Sequence, residues 1–298
     1  MTPAWITARF PDATITPVTA GWSHDQKYRV VTGTDDWLLR VTPLDTLPRK
    51  QDEFAQLQRI SAVSEAFPRA IACESAPNGV ACFVLYSWQH GEDAHAVLPQ
   101  LTEGERHRLG VEAGRRLRQL HTLPQDRNHD IHAKLHAKVT ARRREMHEAG
   151  LTFPGYETMV SFLDSNLHLL RTAPTRYLHG DFHLGNMLVT ADGELRIIDF
   201  NRSGFGDPIE DMCRLFTFTR ETSPAFACGQ IAGYFDSSEP PPNFFAHVLC
   251  YVLVDCAFGL LWARQFGQKE IDTHFRIVRQ IMGDFDGLKT TRPKWFRP

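Results

Sequence analysis

His179-Gly-Asp-Phe-His-Leu-Gly-Asn186, running on through Met187-Leu-Val-Thr190, Ala191-Asp192-Gly193 and Glu194-Leu-Arg-Ile-Ile-Asp199, settles the architecture of this chain. Residues 186–190 and 194–199 alternate well enough to be strands, and Ala191-Asp192-Gly193 supplies turn chemistry, so the segment reads as a hairpin. Asp181 lies five residues before Asn186, and Asp199 thirteen after it. The hairpin thus carries two carboxylates and a carboxamide at its ends, where all three can converge. Hard oxygen donors of this kind suit Mg²⁺, which takes one or two carboxylates together with phosphate oxygens and water. A phosphate-bearing substrate follows.

Toward the N-terminus, residues 14–19, 27–32 and 37–42 are short and β-rich, separated by Ala20-Gly21-Trp22-Ser23 and Gly33-Thr34-Asp35-Asp36. After Pro48, Phe54, Leu57 and Ile60 recur at helical spacing. Residues 70–73 and 80–86 then return to strand character around Asn78-Gly79. The order is three strands, a helix and two strands. From about Ser87 the texture becomes helical: residues 101–121, 155–170 and 243–266 are the clearest candidates. Residues 244–263 are long enough to cross a bilayer, but they include His247 and Asp255, so they are expected to form a buried helix of a large helical domain.

These motifs resemble the aminoglycoside phosphotransferase and choline kinase family, which shares the protein-kinase-like fold. In protein kinases a catalytic-loop Asp is followed five residues later by an Asn, and then by a metal-binding Asp in a hairpin. Asp181, Asn186 and Asp199 have those places, and His179-Gly180-Asp181 has the HGD form of the antibiotic kinases. Gly206-Asp207-Pro208 with Asp211 resembles the segment that buttresses the catalytic loop in that group.

The resemblance implies an α+β, bilobal fold: a small antiparallel-sheet N-lobe with one main helix, and a larger, mostly helical C-lobe. Residues 1–88 are the expected nucleotide-binding lobe, and 89–298 the lobe with the catalytic loop and acceptor site. It further implies transfer of the γ-phosphate of ATP or GTP to a hydroxyl of a small-molecule acceptor. Asp181 is the expected catalytic residue, and Asn186 and Asp199 are the expected Mg²⁺ ligands. Ser23 falls in the turn that would cover the phosphates, a turn with one glycine where kinases have three. Arg40 occupies the place of the kinase lysine, keeping the charge with a different reach. Glu53 is its expected ion-pair partner, and Tyr86 and Trp88 belong to the expected hinge against the purine. An aminoglycoside-like acceptor, and with it antibiotic resistance, is the first inference from the HGD form. Choline, homoserine and sugars are the alternatives.

Composition narrows the partners. The 298 residues carry a net charge of −2 and a sequence pI near 6.7, which gives no global field for nucleic acid or anionic lipid. The six cysteines are scattered without a CxxC pair, and the opening residues lack a signal-peptide pattern; both favour a reducing cytoplasm. Oligomeric state is left open, a monomer included. His129, His132 and His136 are expected to be a solvated helix face, His179 a structural histidine, and Asp255 either an acceptor-pocket residue or part of a buried network. Two rival functions stand as alternatives. A phosphoesterase built on His179, Asp181 and His183 leaves the Asn186 and Asp199 spacing unexplained. A non-catalytic nucleotide binder is prompted by Arg40.

Overall fold

The computed structural model describes residues 2–19, 25–62, 64–123 and 128–297. The chain forms two compact units, Met1–Asp93 with Met187–Phe200, and Ala94–Asn186 with Asn201–Pro298. This differs in two ways from a change of unit after residue 88. The first segment runs on to Asp93, and the 187–200 hairpin groups with it.

In chain order the first unit supplies α1 (Ala4–Arg9), β1 (Thr14–Pro17), β2 (Gln26–Val31), β3 (Asp36–Pro43), α2 (Leu47–Ser61), β4 (Ala70–Ser75), β5 (Ala81–Ser87) and β6 (Glu92–Asp93). The second continues with α3 (Ala94–Val97), α4 (Glu103–His121), α5 (Ile131–Glu148), α6 (Tyr156–Asn166) and β7 (Arg176–Leu178). The hairpin strands β8 (Met187–Val189) and β9 (Leu195–Ile197) belong to the first unit. The second ends with β10 (Gly204–Gly206), α7 (Arg220–Thr222), α8 (Pro224–Tyr234), α9 (Phe244–Ala263) and α10 (Gln268–Asp284).

The five-stranded antiparallel sheet has the order β1-β2-β3-β5-β4. Strand period 2 separates its faces. Leu39 and Val41 of β3 join Val30, Phe83 and Leu85 in a core closed by Ile6 of α1, while Arg40 takes the other face. Helix α1 carries no periodic signal, because six residues hold too few turns; Ile6 is nevertheless fully buried, worth about 2 kcal/mol. On α2 the buried positions are Lys50, Glu53, Leu57 and Ile60, so a charged pair occupies the inward stripe and Phe54 lies beside it.

Strands β6, β8 and β9 form a second antiparallel sheet, with Glu92 opposite Val189 and Met187 opposite Ile197. Further contacts join this hairpin to the rest of the first unit: the Ile197 N–H donates to the Ala66 carbonyl at 2.7 Å, and Phe67 packs edge-on to Phe200.

In the second unit α4 and α8 meet through glycines. A Cβ on Gly110 or Gly114 would lie 2.1 Å from the carbonyl oxygen of Phe226 or Gln230, and one on Gly233 2.0 Å from that of Val111. Only bare backbone permits that approach. Local signals set the helix starts: Thr102 and Glu105 form a capping box on α4, Asp130 caps α5, and Ser223 caps α8 ahead of Pro224. Helix α9 is apolar enough to span a membrane, yet 14 of its 20 residues are buried in the fold. Its histidine and its carboxylate have partners, His247 on Asp207 and Asp255 on Arg214.

Candidate active site

In the first unit the guanidinium of Arg40, only 4% exposed, lies between two carboxylates. Its Nε donates to Asp25 at 2.6 Å and its Nη1 to Asp199 at 3.1 Å. Burial alone lowers an arginine pKa, but Asp199 and Asp25 outweigh it and the net shift is upward, so the cation is secure. Asp199 follows β9 with a φ of 62°, a left-handed conformation rare outside glycine and a mark of a constrained site.

The expected Arg40–Glu53 pair does not form. Glu53 instead accepts from Lys50 Nζ and from the Tyr86 hydroxyl, each at 2.8 Å. Lys50 stands three residues away on the same helix, with no exposed surface, and it takes the carboxylate that the kinase pattern assigns to strand β3. Tyr86 is buried in this network rather than presented to solvent, and burial together with Glu53 pushes its hydroxyl pKa upward. The Trp88 N–H is engaged by the Asp36 carbonyl at 2.9 Å and its ring carries the Arg29 guanidinium at 4.7 Å, so that amide is not open to a purine. Ser23 lies outside the described residues.

In the second unit the loop 179–186 is braced from below. Asp211, 2% exposed, accepts the N–H groups of His179 and Gly180, each at 2.7 Å. It also meets His121 Nε2 at 3.1 Å, and His121 Nδ1 meets the Tyr234 hydroxyl at 2.8 Å. The buttressing expected of the Gly206–Asp211 segment is thus made by Asp211. Asp207 serves that segment itself, capping Ile209 and bonding His247 and Tyr251. Gly180 has a φ of +80°, and a Cβ there would lie 2.1 Å from the Arg202 carbonyl oxygen, so the middle residue of His179-Gly180-Asp181 is required to be glycine. His179 is fully buried and its Nδ1 accepts the Asp181 N–H at 3.2 Å, a structural role as expected.

Asn186 Nδ2 donates to the Asp181 carbonyl at 2.9 Å, which leaves the carboxamide oxygen as its outward donor atom. Two arginines and a histidine surround the Asp181 carboxylate: Arg214 at 3.4 Å, His183 at 3.7 Å and Arg202 at 3.8 Å. Burial opposes ionisation of this group, but His183, Arg214 and Arg202 prevail and hold the carboxyl pKa at about 2. The chemistry open to Asp181 is therefore that of an ionised acceptor of hydrogen bonds. No group of three or more His, Cys, Asp or Glu suited to a metal ion occurs among the described residues, His129, His132 and His136 included. The oxygens of Asn186 and Asp199 are hard donors of the type Mg²⁺ takes, and so fit that ion chemically.

Arg214 and its partner Asp255, 3.3 Å apart, are the residues sequence reasoning missed as a pair. The only signal was the cost of a carboxylate within an apolar helix.

The sequence profile of the phosphotransferase enzyme family matches residues 14–244, most of the chain, Arg40, Asp181, Asn186 and Asp199 included. The chain belongs to this family. A phosphotransferase of small molecules is accordingly its general class. No match is found among curated proteins. Three solved structures share the protein-kinase-like fold. The first is the GDP and kanamycin complex of aminoglycoside phosphotransferase APH(2″)-IIIa (TM-score 0.69, 17% identity, 93% of this chain and 96% of that one). The second is a thermostable mutant of APH(4)-Ia with ADP and hygromycin B (0.62, 16%, 93% and 97%). The third is a Ralstonia eutropha JMP134 protein described as an aminoglycoside phosphotransferase (0.66, 12%, 90% and 90%).

Proposed function

We propose that this phosphotransferase is a kinase that moves the γ-phosphate of ATP or GTP to a hydroxyl of a small molecule. The observation that carries the reading is the braced loop holding Asp181 ionised, with Asn186 bonded to its carbonyl five residues on. The nucleotide complexes of two neighbours, one with GDP and one with ADP, support a nucleoside triphosphate as donor.

In this reading the acceptor hydroxyl donates to the Asp181 carboxylate, which aims the oxygen at the γ-phosphorus. The new O–P bond forms as the bond to the β-phosphate oxygen breaks, the nucleoside diphosphate leaves, and the hydroxyl proton passes late to Asp181. A loose transition state asks mainly for positioning and charge balance, which suits a weakly basic carboxylate. Asn186 and Asp199 would hold Mg²⁺, whose chemistry when bound is to offset charge on the phosphates. Arg40 orients Asp199 and adds a fixed positive charge.

An aminoglycoside-type acceptor is the first to assay, because three neighbours are so described and two hold such compounds. Choline, homoserine and sugars follow. The test is Mg²⁺-dependent turnover of ATP or GTP with this panel, abolished over orders of magnitude by Asp181→Ala. Full transfer by that variant overturns the reading.

A further inference from the structure

Two arginines and a histidine surround Asp181, and they are not equivalent. Arg202 is 62% exposed at 3.8 Å, and His183 Nε2 lies 3.7 Å away while its Nδ1 accepts from Gly185. Arg214 is the closest, at 3.4 Å, and it is itself gripped: its Nη1 donates to Asp255 Oδ2 at 3.3 Å, and its guanidinium carbon lies 5.5 Å from the centre of the Phe218 ring.

The backbone explains how it gets there. Residues 215–219 form a π-helical turn, whose hydrogen bonds span one residue more than those of an α-helix, a rare feature often found at functional sites. Arg214 precedes this turn and Phe218 lies within it; Phe218 also packs on His183, 5.9 Å between ring centres. The turn thus bears a cation and a ring that meet the loop 179–186 together. Asp255 reaches the same guanidinium from α9, so Arg214 is held between two carboxylates and a ring.

We propose that Arg214 is a positioning residue, fixing the orientation of the Asp181 carboxylate while Asp255 fixes Arg214. The proposal rests on the reading of Asp181 as the group that aims the acceptor hydroxyl. An Asp side chain has two soft torsions, and a carboxylate must sit within about 2.6–3.2 Å of the hydroxyl it serves. The Asp181 backbone is set by Asn186 and by the Asp211 brace; Arg214 is the cation that sets the side chain. Asp255 thereby gains a role through Arg214 and need not touch the acceptor.

The test uses the full chain with Mg²⁺ and ATP or GTP, water serving as the acceptor, so that no acceptor has to be known. Arg214→Met should lower kcat about 100-fold, the scale of a 1 Å misplacement, with the nucleotide KM within threefold of wild type. Arg214→Lys should recover part of the loss. Asp255→Asn should lower kcat less, and the double variant Arg214→Met/Asp255→Asn should be no slower than Arg214→Met alone, because both act through one guanidinium. Unchanged kcat in Arg214→Met, a loss carried by KM, or effects that multiply overturns the proposal. Should wild type show no turnover with water or any panel acceptor, the kinase reading fails by itself. The positioning contact is then judged by urea unfolding of Asp181→Asn, Arg214→Met and their double variant. Midpoint shifts that fail to add support it, and additive shifts overturn it.

Discussion

The guanidinium of Arg40 reaches Asp199, 159 residues further along the chain, and donates to its Oδ1 at 3.1 Å. The same group holds Asp25 through Nε, so one cation on β3 serves two carboxylates. Arg40→Met leaves both without it. After allowance for the exposure of Asp199, the expected loss is about 2 kcal/mol by urea denaturation, with weaker nucleotide binding by calorimetry. Arg40→Lys should retain part of each, since one ammonium cannot reproduce the two-pronged contact. Wild-type stability and affinity in Arg40→Met would remove Arg40 from the site.

Glu53 should behave as a core residue. Glu53→Gln removes the charge facing Lys50, which is fully buried, and the expected cost is roughly 3 kcal/mol. Thermal melting measures it. A loss of nucleotide affinity with no change in melting would instead assign Glu53 to the nucleotide side.

Asp211 accepts two loop amides while meeting His121, a set that one amide oxygen cannot satisfy. Asp211→Asn should cost about 2–3 kcal/mol of stability, the scale of hydrogen bonds to a charged group, and slow turnover at least tenfold. Assays run well below the variant's melting point separate the two effects. Full activity there would mean that the brace leaves the loop geometry unaffected.

Substitution at the α4–α8 contact should be severe. Gly233→Ala sets a methyl 2.0 Å from the Val111 carbonyl oxygen, and the helices must part; the expected loss is about 3 kcal/mol or more. Gly104→Ala on α4, where nothing lies within 4 Å, should be neutral or stabilise by up to about 1 kcal/mol through helix propensity. Equal melting points for the two variants would contradict the close packing.

The low pKa of Asp181 has a stability consequence whose sign is definite. The folded-state value, about 2, lies below the ordinary aspartate value of 3.8, so the ionised carboxylate stabilises the fold. That contribution is fully present above about pH 4 and disappears as the pH falls through about 2. With the side chain 22% exposed, it amounts to about 2 kcal/mol at most at pH 7, and roughly half of it persists at pH 3. The stability gap between wild type and Asp181→Asn, followed by urea denaturation in Mg²⁺-free buffer, should narrow accordingly. A gap that widens on acidification rules out Arg214, His183 and Arg202 as its cause.

Much of this was legible beforehand. The strands about β3 and β5, helix α2 and the 187–199 hairpin all follow from local periodicity and turn chemistry. His179-Gly180-Asp181 was legible as a motif, but the reason for its glycine was not. That reason is the Arg202 carbonyl oxygen beneath Gly180, 22 residues away in sequence. Helix α1 was too short to show a period, and the packing of α4 on α8 through Gly110, Gly114, Gly229 and Gly233 has no signature in local periodicity.

The sequence by itself determined the spacing of Asp181, Asn186 and Asp199, and hence the family, because that spacing is a local property of one loop and one hairpin. Tertiary structure alone decided who pairs with whom: Glu53 with Lys50, Arg40 with Asp25 and Asp199, Arg214 with Asp181 and Asp255. Several oppositely charged groups stand at compatible positions along the chain. Strand alternation, the helix stripe and the π-helical turn determine which of them share a face at hydrogen-bonding distance. The energy of an ion pair depends on that distance and on the surrounding burial, neither of which is written in sequence separation.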